Sequence, residues 1–134
     1  FNKSWQTDIN IETLEIVQGP VISSGQELYN TLKYTGLLTG KLPQLAVSAS
    51  GGVMDYAGIV KSLLVGASSV QVASALYQHG VPYLTKMLEE FTQWMTQHGY
   101  RSIEEFRGNL NASKQSDQEL YMRSQFMRYF SSKA

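Results

Sequence analysis

The chain has 134 residues, enough for one modest domain, and its 11 lysines and arginines balance 11 aspartates and glutamates. That neutrality leaves no global field to draw in nucleic acid or an anionic membrane. There is no cysteine, which excludes disulfides, thiolate metal sites and a cysteine nucleophile and accords with a cytoplasmic protein. No apolar run approaches the ~18 residues of a membrane span, and no charged-then-apolar signal pattern is present. A start at Phe1 rather than methionine reads as an internal start.

In chain order, Phe1-Asn2 reads as the end of an apolar run. Asp8-Ile9-Asn10-Ile11 and Thr13-Leu14-Glu15-Ile16-Val17 alternate with period 2 around a polar turn, which predicts a small hairpin broken by Gly19-Pro20. Ser24 with Glu27 three residues on has the form of a capping box. The helix it opens carries Leu28, Leu32, Leu37 and Leu38 as its apolar face, is loosened by Gly36, and ends between Gly40 and Pro43. Residues 45–49 read as a strand. Asp55 then caps a helix whose core face is Ile59, Val60, Leu63 and Leu64, closed by Gly66. Residues 69–73 read as the next strand. A long helix follows from Val81 to His98, with Pro82 in its first turn and Gly99 as its C-cap. Ser102 and Glu105 open a short capped helix, residues 111–117 read as a polar loop, and residues 118–130 as a terminal amphipathic helix. Strand and helix alternating in this way predict a parallel sheet with crossover helices.

Two turns stand out. Leu45-Ala46-Val47-Ser48-Ala49 runs into Ser50-Gly51-Gly52, and Ser69-Val70-Gln71-Val72 runs into Ala73-Ser74-Ala75. Each apolar run stops at residues with little side chain and is followed by a helical pattern, so bare backbone N–H groups are presented where a phosphate binds. Taken alone, Gly51-Gly52 reads as a plain tight turn. Two consecutive turns of this kind are what the last two strands of a phosphate-binding (β/α)8 barrel supply.

The run from Ser50-Gly51-Gly52-Val53-Met54-Asp55 through residues 59–77 (Ile-Val-Lys-Ser-Leu-Leu-Val-Gly-Ala-Ser-Ser-Val-Gln-Val-Ala-Ser-Ala-Leu-Tyr) to His98-Gly99-Tyr100-Arg101-Ser102-Ile103-Glu104-Glu105-Phe106-Arg107-Gly108 resembles the C-terminal part of the class 1 dihydroorotate dehydrogenase family. Phe1-Asn2 followed by a hairpin resembles the family's sixth strand and the excursion after it. The resemblance implies an α/β fold, the last three or so βα units of a (β/α)8 barrel. Residues 1–110 would belong to the barrel and 111–134 to a polar loop and helical extension. It implies FMN as cofactor and an oxidoreductase of pyrimidine biosynthesis that oxidises a CH–CH bond. Backbone groups of Ser50, Gly51 and Gly52 would hold the FMN phosphate and ribityl end. Ala73 and Ser74 would close the same pocket, and Gly19 would lie against the flavin. Asn2 would contact the pyrimidine substrate, with Lys3 beside it. Partners implied are dihydroorotate or a related small molecule, the remainder of the barrel and a second copy of the chain. The family's catalytic base and flavin-side lysine lie on earlier strands, so no catalytic residue is assigned here.

Departures from the family pattern are specific. Ala73-Ser74 stands where Gly-Thr is usual, and Asn2-Lys3 where Asn-Ser is usual, which puts dihydroorotate itself in question. They motivate the alternative of a non-catalytic phosphate-ligand-binding or structural barrel module. Other polar residues have plain readings. His79 is a surface loop residue, and His98 is a helix C-terminal residue favoured by the dipole. Glu89-Glu90 and Glu104-Glu105 are solvated helix faces. Phe91, Trp94 and Met95 pack against the barrel or a partner, and Asn111-Ala112-Ser113 is a chance sequon.

Overall fold

The computed structural model describes residues 6–19 and 21–114. Strands β1 (Thr7–Asn10) and β2 (Glu15–Gln18) form the expected antiparallel hairpin, with Asp8 opposite Val17 and Ile9 opposite Ile16. The Asn10 side chain closes its turn by accepting from the amides of Glu12 and Thr13. Then follow α1 (Glu27–Lys41), β3 (Ser48–Ala49), α2 (Tyr56–Leu64), β4 (Ser69–Val70), α3 (Ser74–His79) and α4 (Tyr83–Gln97), and two short 3₁₀ turns at Ile103–Glu105 and Ala112–Lys114.

The architecture is mixed α/β. Strands β3 and β4 pair in parallel, Ser48 with Ser69 and Ala49 with Val70, with α2 as the crossover between them. Regular pairing is shorter than the apolar runs predict, two residues in each strand, although Val47 and Ala49 carbonyls still accept from Ser68 and Gln71. The strands lead into the glycine-rich and small-residue turns, and those turns leave the ladder.

Helix α2 follows its sequence signals closely. Asp55 is extended and accepts a 2.8 Å bond from the Gly58 amide, while Ile59, Val60 and Leu63 are buried. Its last carbonyls do not stay unpaired. Leu63 accepts from Gly66 and Gly108, and Leu64 from Leu110, so the chain returning after the first 3₁₀ turn satisfies the end of the helix. The core gathers Leu28, Val53, Ile59, Leu63, Met87 and Phe106, and Phe91, Trp94 and Met95 pack onto it. Met87 and Phe106 are wholly shielded.

Four expectations change. Helix α1 buries Leu28 together with Thr35, Gly36 and Thr39, while Leu38 lies exposed. Small residues face inward because α1 lies close against the turn at Val65-Gly66, where Thr39 donates to the Val65 carbonyl at 2.6 Å. Ser24 does bond Glu27, but only one way. The Glu27 carboxylate accepts from both the amide and hydroxyl of Ser24, while the helix starts at Glu27 behind Gln26, which offers no side-chain cap. The second turn is followed by its own helix, α3, so His79 ends a helix and is not a loop residue. Residues 111–114 are not a free polar loop. Asn111 and Ala112 are buried, and a Cβ added at Gly40 of α1 would meet the Ser113 amide nitrogen at 2.9 Å. The terminal helix expected over 118–130 lies outside the described residues.

Candidate functional site

A cavity of about 180 Å³ opens at the C-terminal ends of β3 and β4. Three segments build it: Val21, Ile22 and Ser23 ahead of α1, Ser50-Gly51-Gly52-Val53 after β3, and Gln71, Ala73, Ser74 and Tyr77 after β4. The carboxyl ends of parallel strands are where α/β folds place their ligands, because strand ends and helix starts converge there.

The first turn needs its glycines for two different reasons. Gly51 has φ +104° and Gly52 φ +76°, a region that side-chain-bearing residues rarely enter. At Gly52 there is also no room, since an added Cβ would fall on the backbone nitrogen of Leu28 in the first turn of α1. At Gly51 an added Cβ would meet only the Thr31 hydroxyl oxygen, at 3.2 Å. The smallness of Gly52 thus serves helix packing, whereas Gly51 borders open space. Neither glycine amide has an acceptor among the described residues. Buried or half-buried N–H groups in that state are donors awaiting a partner.

The second turn reaches the same cavity from β4. Ser74 Oγ accepts a 3.2 Å bond from the Ser23 amide. With one of its two lone pairs so occupied, the hydroxyl keeps its proton available to an acceptor in the cavity. Gln71 lies at the edge, its amide nitrogen 3.2 Å from Ser48 Oγ. Among the described residues the lining has no lysine, arginine or histidine. An anion would therefore be held by neutral amide and hydroxyl donors, with Val21, Ile22, Val53 and Tyr77 offering apolar contact beside them.

Five of the residues singled out from sequence are brought together here: Ser50, Gly51, Gly52, Ala73 and Ser74. Gly19 is not among the lining residues. It is buried beside Gln6 and Asp8, with its amide donating to the Gln6 carbonyl at 2.8 Å. Asn2 and Lys3 lie outside the described residues. Sequence reasoning missed Val21, Ile22, Ser23, Val53, Gln71 and Tyr77. Only Val53, directly after the first turn, and Gln71 and Tyr77, flanking the second, carried any signal. The approach of residues 21–23 is set by the Ser23–Ser74 bond, which no local pattern announces.

Elsewhere the histidines and most glutamates lie at the surface. His98 Nδ1 lies 2.9 Å from the Trp94 carbonyl at the end of α4, with its ring stacked on Trp94. Three of the glutamates sit in ion pairs, Lys86–Glu90 at 3.8 Å, Arg101–Glu105 at 3.9 Å and Arg107–Glu104 at 3.3 Å. Exposed pairs of this kind contribute little to stability. The sequon asparagine is buried, and its side chain accepts from the Ser113 amide and hydroxyl. No helix among the described residues is long and apolar enough to cross a membrane.

No family model matches the chain. Individual relatives do. The chain is 32% identical over 110 residues to a dihydroorotate dehydrogenase (fumarate) of Lachancea kluyveri, a match covering 78% of this chain and 35% of that protein. It is 37% identical over 68 residues to proteins of Streptococcus pneumoniae and Enterococcus faecalis, each named a probable dihydroorotate dehydrogenase A (fumarate), covering 51% of this chain and 22% of each. The resemblance seen in the sequence is therefore borne out as similarity to a portion of these proteins, and the chain spans about a third or less of their length.

Proposed function

We propose that this chain is the C-terminal portion of an FMN-dependent oxidoreductase of the dihydroorotate dehydrogenase type, and that it supplies the phosphate-binding end of the flavin site. One observation carries the reading: two turns of small residues, at the carboxyl ends of adjacent parallel strands, line one cavity, and the amides of Gly51 and Gly52 in the first have no acceptor among the described residues. The similarity to dihydroorotate dehydrogenases over 78% of the chain points the same way.

The cavity fits one end of the cofactor and not the whole. Sites that enclose a complete cofactor-sized ligand run to roughly 300–1,000 Å³, against about 180 Å³ here. The amides of Gly51 and Gly52 and the hydroxyl of Ser74 suit a phosphate, which needs several converging donors. The apolar flank of Val21, Ile22 and Tyr77 suits the less polar part of a ribityl chain. In this reading Ser50 and Ala73 complete the cradle and Gly19 belongs to the more distant flavin wall. Asn2 and Lys3 face the substrate, dihydroorotate or a related compound. When bound, FMN supplies the hydride acceptor for oxidising a CH–CH bond. The residues of this chain orient it and exclude water, and the proton-abstracting base is contributed by the rest of a (β/α)8 barrel. Residues 1–110 belong to that barrel and 111–134 extend it. The protein is cytoplasmic and assembles as a homo-oligomer.

A visible absorption spectrum of the purified protein, with intact mass taken on the same sample, tests this. Flavin absorbance at a mass near a full barrel supports it. A full-length mass with no flavin, even after adding FMN, overturns it in favour of a non-catalytic phosphate-binding or structural barrel, the reading that Ala73-Ser74 and Asn2-Lys3 motivate.

A further inference from the structure

We infer that Thr31, on the second turn of α1, is a positioning residue that turns the Gly51 and Gly52 amides into the cavity and so sets its affinity for a phosphate monoester. The inference rests on the phosphate reading above and deepens it. Thr31 does not line that cavity. It lies in a separate shallow groove with Asn30, Tyr34 and Ser50. Whatever it does for a ligand, it does through the turn.

The geometry is specific. Thr31 Oγ1 lies 2.9 Å from the Ser50 carbonyl oxygen and 2.9 Å from that of Gly51. Its single proton serves both, shared or alternating. The carbonyl of its own helix at Glu27 is farther, at 3.4 Å, so the usual back-bond of a helical threonine is the weaker option. Every peptide bond among the described residues is trans, and in a planar trans peptide the carbonyl and the following N–H point to opposite sides. Drawing the Ser50 carbonyl towards α1 therefore points the Gly51 N–H away from it. Drawing the Gly51 carbonyl does the same for the Gly52 N–H. Two successive amides thus point away from α1, in a stretch whose three residues, Ser50, Gly51 and Gly52, all border the cavity. The α1 backbone at Leu28 lies close over Gly52 on the helix side, and the Thr31 hydroxyl sets the orientation of the two peptides within that contact. Glycine at two consecutive positions leaves the backbone free to rotate, and one hydroxyl outside the cavity removes that freedom.

The test measures binding by calorimetry on the whole protein that contains this chain, with FMN, riboflavin and inorganic phosphate as probes. Thr31→Ser keeps the hydroxyl and is expected to match the wild type. Thr31→Val removes it at similar volume and is expected to lose about tenfold or more in affinity for FMN and for phosphate, with riboflavin, which lacks the phosphate, changed less than about twofold. Thr31→Ala is read in the same way should the valine variant not fold. Wild-type FMN affinity in Thr31→Val overturns the role of Thr31 and leaves the proposed function standing. Equal losses for FMN and riboflavin also overturn it, since a general loosening of the fold would do that. Phosphate binding that depends on Thr31, in a protein that binds no FMN, supports Thr31 and overturns the flavin reading. A wild type that binds neither phosphate nor FMN overturns both.

Discussion

The backbone amide of Ser23 donates a 3.2 Å hydrogen bond to the hydroxyl of Ser74, 51 positions further along the chain. It is the tie that brings the segment ahead of α1 against the turn after β4 and so closes one wall of the cavity. Removing the acceptor leaves a half-buried amide unpaired, a loss of about 1–3 kcal/mol. Ser74→Ala is expected to be destabilised by that order in urea unfolding, whereas Ser74→Thr, which retains the oxygen, is expected to stay near the wild type. The same alanine variant also loses a cavity donor, so its affinity for inorganic phosphate should fall as well. Unchanged stability in Ser74→Ala would mean that residues 21–23 are held by something other than this bond.

Gly51 and Gly52 are adjacent and share a positive φ, yet their substitutions should differ. At Gly51 an alanine meets the strain of its φ, about 1–2 kcal/mol, and a single side-chain oxygen at 3.2 Å. At Gly52 the same strain is joined by collision with the backbone of α1, which cannot swing aside as a side chain can. Overpacking of that sort adds about 1–3 kcal/mol. Gly52→Ala is therefore expected to lower the denaturation midpoint clearly more than Gly51→Ala. Equal midpoints would show that α1 does not bear on the turn.

Much of the local structure was legible because its causes are local. The hairpin follows from alternation around Asn10, the start of α2 from Asp55 and its end from Gly66, and the end of α4 from Gly99. Five residues that line the cavity were legible for a similar reason, since a small-residue turn at the end of an apolar run is a backbone statement made by its own sequence. What escaped depends on partners distant in the chain. Leu38 fits a helical apolar face as well as Thr35 does, and only the closeness of α1 to Val65-Gly66 decides that the small residue goes inside. Asn111 and Ala112 look polar or small enough for a loop, and their burial follows from a gap at Gly40 that the sequence does not show. Thr31 is ordinary in a helical pattern until the turn 19 and 20 positions on is seen to lie against it.

The β3–β4 pair carries a consequence for the isolated chain. Parallel strands are stable in sheets covered on both faces, and pairs alone are marginal. Among the described residues each of these strands has a single neighbour and two regularly paired residues. Both outer edges therefore offer unpaired backbone groups. Large apolar side chains are also open to water, Ile16 at 72% and Tyr77 at 82% of their full exposure. Residues 1–134 expressed alone are thus expected to self-associate, sedimenting well above the 15.0 kDa of one chain, as strand edges and apolar surface seek cover. Association should rise with concentration and ease in mild denaturant, because edge pairing and apolar contact drive it. A monodisperse 15.0 kDa species with one cooperative thermal transition would show instead that α1, α2 and α4 suffice as a folding unit and that further strands are not needed to hold the two turns in place.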